Sequence, residues 1–108
     1  MPFYMIQGSY TAEGLAAIVK KPQNRIEAIK GPIEKLGGEL KDAYFCFGDY
    51  DFVILTSMPD NVSAVAISMA FGAGGALRAT KTTPLLTAGE TMEAMKKASE
   101  TGYKPPTA

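Results

Sequence analysis

A chain of 108 residues has room for one domain with a single modest core, which buries roughly two thirds of the surface exposed by its unfolded form. Its 46% hydrophobic and 20% charged content is ordinary for a soluble globular protein, and eleven basic residues cancel eleven acidic ones. Without a net positive field nucleic acid is not an expected partner. The absence of histidine removes the commonest general base, zinc ligand and proximal haem ligand, so neither a metal centre nor a cofactor is expected.

The segment "FYMIQGSY", Phe3 to Tyr10, is rich in strand formers and reads as a first strand. Thr11 is placed to cap a short helix, with Glu13 in its first turn, where a negative charge suits the helix dipole. Pro22 stops that helix and suits the first position of a second helical segment. There Ile26, Ile29, Ile33 and Leu36 recur at spacings of three and four, one apolar stripe. Pro32 should kink the segment, and Gly37-Gly38 should end it.

Strands are expected from about Glu39 to Phe47 and from about Asp51 to Met58. Asp60 caps a helix running to Phe71, and the glycines at 72, 74 and 75 break it. A fourth strand, "ALRATKTT", leads to Pro84. "TAGE", Thr87 to Glu90, has the spacing of a capping box and opens a last helix with Met92 and Met95 on one side as core filler. One domain is expected over 1–98, followed by a flexible tail over 99–108.

No basic segment followed by an apolar run opens the chain, so no signal peptide is expected, and "AVAISMAFGAGGAL" is too short and glycine-rich to span a bilayer. No membrane association is anticipated. A single cysteine, Cys46, fits the cytoplasm and reads as a buried, inert thiol.

The order strand, helix, strand, strand, helix, strand, helix is the split βαβ pattern of ferredoxin-like folds, an α+β class. Right-handed crossovers place the main helices on one face of a four-stranded antiparallel sheet ordered 4-1-3-2. Strands half exposed to water should alternate in polarity, yet here both parities are apolar: Ala43, Phe45 and Phe47 against Leu40, Tyr44 and Cys46, then Phe52, Ile54 and Met58 against Val53 and Leu55. An uncovered apolar face points to a homodimer or an assembly of dimers, unless the last helix or the tail folds over it.

In "FGDYDF", Phe47 to Phe52, Gly48-Asp49 suits a two-residue hairpin connection, with Tyr50 and Asp51 starting the returning strand. Asp51 is free to accept hydrogen bonds there or to meet Arg25. The stretch reads as a turn and an anchor rather than a catalytic site.

Gly48, Asp49, Tyr50 and Asp51 also resemble the signature of the GYD domain family. Tyr4, "YTAEG" from Tyr10 to Gly14, Arg25 after a proline, "LGG" from Leu36 to Gly38 and "GGALRA" from Gly74 to Ala79 extend the resemblance from Phe3 to about Met95. It implies a small ferredoxin-like domain that associates like dimeric α/β-barrel proteins, and no established activity. Two departures are Tyr10, where many relatives carry tryptophan, and the polar, proline-broken fourth strand.

Tyr4, Tyr10, Tyr44, Tyr50 and Arg78 form the candidate ligand-binding set, since a phenol beside a guanidinium in an enclosed space can hold a small anion. "KKPQNR" reads as a solvated charged loop, and "FGAGGAL" as a helix stop, because it follows a helix instead of preceding one. Two functions stand open. One is a non-catalytic oligomeric module binding a small molecule or a protein. The other is a cofactor-free oxygenase or isomerase using Tyr44 as proton donor, Arg78 as anion clamp and Asp42 as base.

Overall fold

The structure, a computed structural model, describes residues 1–106. Its elements in chain order are β1 (Phe3–Tyr10), α1 (Ala12–Lys20), α2 (Arg25–Lys35), β2 (Glu39–Phe45), β3 (Phe52–Ser57), α3 (Asn61–Ala73), β4 (Leu77–Leu85) and α4 (Ala88–Ser99). The sheet is antiparallel with order β2-β3-β1-β4, the expected ferredoxin-like arrangement.

Local chemistry sets most helix starts. The Thr11 hydroxyl accepts the Gly14 N–H, and the Asp60 carboxylate accepts the Ser63 N–H. Thr87 and Glu90 complete a capping box in which each side chain accepts the other's backbone N–H. Pro22 does not open α2. The Asn24 carbonyl does so, accepting from Ile26 and Glu27, and leaves Pro22 in the connection. The helix then runs through Pro32, and Gly37 ends it at a φ of 82°.

Register decides which strand parity meets the helices. Tyr4, Ile6 and Gly8 of β1 lie opposite Thr56, Ile54 and Phe52 of β3, and these face α2 and α3. Ile33, Ala64 and Ile67 from the helices close the core with Met58. Gly8 is buried beneath the Phe52 ring, where any side chain would collide with the ring edge. The Thr56 hydroxyl is buried with no hydrogen-bond partner among the described residues.

Several expectations are corrected. β2 stops at Phe45 and β3 begins only at Phe52, so the hairpin is longer than two residues: the Cys46 N–H donates to the Asp51 carbonyl, with Phe47 to Tyr50 between them. β4 is not broken at Pro84, which pairs opposite Tyr4 on an edge strand that can spare one N–H. Cys46 is exposed rather than buried, because it lies past the end of an edge strand, its Sγ 3.2 Å from the Tyr50 carbonyl. Met92 and Met95 are not core filler: they are 70% and 64% exposed.

The reason for the last correction is that α4 has no buried residue and projects from the domain. The molecule is accordingly 58 Å long, and its radius of gyration of 17.4 Å exceeds the ~13 Å of a compact domain of this size. The open face of the sheet is therefore uncovered by this chain's own helix. Of the expected tail, residues 107 and 108 lie outside the described residues, and Tyr103 within it is exposed. Among the described residues no helix is long and apolar enough to cross a membrane.

Candidate functional site

The hairpin loop is tied to the end of β1 by several bonds. The Asp51 N–H donates to the Gly8 carbonyl and the Ser9 hydroxyl to the Asp49 carbonyl, both at 2.8 Å. The Asp51 carboxylate accepts the Tyr10 N–H at 2.8 Å, where the β1–β4 pairing shifts register. Gly48 sits at a φ of 122°, a conformation that side chains with a Cβ rarely adopt. The Gly48–Asp51 motif thus anchors a loop to the sheet, and among the described residues Asp51 forms no ion pair with Arg25.

The five candidate binding residues do not converge within one copy. Tyr4 is buried on the helix-covered face and donates to the Asn61 side-chain carbonyl. Tyr10 stands on the same face with its ring 5.8 Å from that of Phe52. Tyr44 lies on the open face, its hydroxyl donating to Asp42 at 3.0 Å. That hydrogen bond and the carboxylate's charge push the phenol above its ordinary value of 10.0. Tyr50 belongs to the hairpin, and Arg78 sits exposed at the β4 register shift beside Tyr10's partner Leu77. β2 and β4 are opposite edges of the sheet, so Tyr44 and Arg78 are separated by three strand spacings, about 14 Å.

What the fold does build is a cleft of about 370 Å³ on the helix-covered side. Thr11 N–H donates to the Ala76 carbonyl, and Gly14 passes so close to Ala76 that a Cβ would strike its carbonyl oxygen. This pins α1 at its first turn, yet none of its residues is buried, so space remains beneath it. Phe52 and Ile54 of β3 face the cleft, as do Leu77, Phe71 at the end of α3, Ile18 from α1, and Ile26 and Ile29 from α2. Polar groups are few: Tyr10, Gln23 and Arg25.

Arg25 is the only residue among those lining the cleft that carries a formal charge at neutral pH. It is exposed, donates to the Gln23 side-chain oxygen at 3.0 Å, and forms no ion pair among the described residues. Burial raises the Tyr10 phenol above 10.0, with Asp51 adding to the rise and the Arg25 guanidinium opposing it. Gln23 and Arg25 belong to the stretch read as a solvated loop. Only the Ile26–Ile29 stripe hinted that this region faces apolar surface; a cleft walled by three helices leaves no contiguous mark in sequence.

The open face has its own pattern. Phe3, Met5, Val53, Leu55 and Leu85 lie on it, interspersed with Gln7, Ser57 and Thr83, and Glu39, Asp42, Tyr44 and Lys81 stand along its two edge strands. A shallow depression there is walled by Phe3, Leu55, Leu85 and Leu86, where the chain leaves for α4.

These features define a ferredoxin-like α+β domain with an open sheet face and a helix-side cleft. The pattern of the GYD domain family matches residues 4–95, and the chain belongs to that family. Among solved structures it is similar to MtbAldR, with a TM-score of 0.57 and 17% identity over 80% of this chain and 53% of that one. It is also similar to a hypothetical protein from Pyrococcus horikoshii, with a TM-score of 0.51 and 15% identity over 81% of this chain and 92% of that one. At these identities the likeness is one of fold, and the chain spans about half the length of MtbAldR. No curated protein matches.

Proposed function

We propose that this GYD domain is a non-catalytic binding module that works as a homodimer, or an assembly of dimers, paired through the open face of its sheet. The observation that carries the reading is the set of apolar side chains on that face, Phe3, Met5, Val53, Leu55 and Leu85, left without cover by α4. Such a surface in water is unfavourable, and a two-fold copy of the same surface is its simplest cover.

Sheet pairing alone covers about 400 Å² per chain, taking four strands spaced ~4.8 Å and about six residues long. A stable interface covers about 800 Å² per partner. The unpacked α4, with Met92 and Met95 exposed, offers the additional surface. The occupant of the module is a small molecule or a protein segment, and the single exposed cysteine suits a reducing cytoplasm.

A cofactor-free enzyme built on Asp42, Tyr44 and Arg78 draws less support. The Tyr44 hydroxyl is already engaged in donating to Asp42, and Arg78 stands on the far edge strand. Sedimentation velocity at micromolar concentration tests the assembly. The wild-type chain is expected to run as a dimer or larger, and Leu55→Asp as a folded monomer with unchanged circular dichroism. A monomeric wild type would end the reading.

A further inference from the structure

We propose that the cleft beneath α1 and α2 binds a small organic monocarboxylate, its carboxylate at Arg25 and its apolar body over Phe52 and Ile54. The inference deepens the reading of the domain as a binding module, but it does not depend on dimerisation, because the cleft lies on the opposite face of the sheet.

Size sets the first limit. The cleft, about 370 Å³ and open to solvent on one side, takes a small body with its polar end at the mouth. It falls at the lower end of small-molecule sites.

Chemistry sets the second. The wall is mostly aliphatic and aromatic, which favours a hydrocarbon body. The only formal charge on it is one guanidinium, with no carboxylate partner among the described residues, whose planar fork matches a carboxylate in two parallel hydrogen bonds. One cation suits a single negative charge; a phosphomonoester carries nearly two and would call for further donors. Asp51, whose charge reaches Tyr10, is outside the cleft wall and already accepts the Tyr10 N–H.

The test uses the full chain and two pairs of probes, decanoate with decanamide and 4-phenylbutyrate with its amide. Binding is followed by calorimetry and by backbone amide shifts. At least one acid is expected to bind once per chain, with shifts confined to α1, α2, Phe52 and the end of α3, and about tenfold more tightly than its amide. Arg25→Gln should bring the acid down to the level of its amide and leave the amide unchanged. Ala17→Leu, which adds bulk to the wall without touching Arg25, should abolish binding of both. Three outcomes would overturn the proposal: acid and amide binding alike, shifts on the open sheet face instead, or no binding of either acid at millimolar concentration. Shifts of the cleft residues on simple dilution would assign the space to a second copy and overturn it too. Leu55→Asp should bind the acid as the wild type does, so a failed dimer and an empty cleft are told apart.

Discussion

Glycine does two different things in this chain, and two substitutions separate them. At Gly48 the space around a Cβ is open and the difficulty is the backbone, held at a φ of 122°. At Gly8 the backbone is ordinary strand and the difficulty is the Phe52 ring lying over it. Gly48→Ala is expected to cost about 1–2 kcal/mol of backbone strain. Gly8→Ala is expected to cost about 2–3 kcal/mol by overpacking, and to disturb Tyr10 because its ring packs against Phe52. Urea unfolding of both variants checks the order; equal losses would mean that the Phe52 ring moves aside freely. Thr56→Val works the other way. Its hydroxyl is buried without a partner among the described residues, so an isosteric methyl removes a desolvation penalty, and a gain of about 1 kcal/mol is expected. A loss in that variant would reveal a partner for the hydroxyl, such as a bound water. Of these positions only Gly48 was legible beforehand, from turn chemistry; Gly8 and Thr56 acquire their meaning from residues on other strands.

At the scale of elements, helix capping explains both what was readable and what responds to acid. Thr11, Asp60 and Thr87 announce their helices through side chains acting within three residues. Asp60 and Glu90 accept backbone N–H groups, and those bonds hold their carboxyls below the ordinary values of 3.8 and 4.5. A folded value below the unfolded one means the caps contribute fully above about pH 4.5 and fade as pH falls through the lowered folded values. Carbon-detected NMR titration should place both midpoints below those ordinary values. Thr87→Ala should move Glu90 back up and loosen the first turn of α4, while leaving Asp60 where it was. Asn24 escaped notice because Pro22 offered a competing start two residues earlier, and proline at the first helical position is a genuine preference. The side-chain bonds of Asn24 to Ile26 and Glu27 decided between them.

At the scale of the molecule, the conspicuous fact is an amphipathic arm with nothing to rest on. A twelve-residue helix is marginal in water by itself. The amides of α4 are therefore expected to exchange with solvent much faster than those of β1 in dilute solution, and to slow as concentration rises and a second copy covers them. Fast exchange that never responds to concentration would leave α4 out of the interface. What the sequence by itself determined is the order and type of the elements, because capping groups, glycines and apolar spacing act over a few neighbouring residues. It also determined the topology, since the handedness of crossovers leaves few ways to arrange that order. The direction of α4, the parity of each strand that meets the helices and the cleft at Arg25 were decided only in the tertiary structure. Each depends on groups far apart in the chain meeting in space, as when Gly14 approaches Ala76 and holds α1 over an unfilled gap.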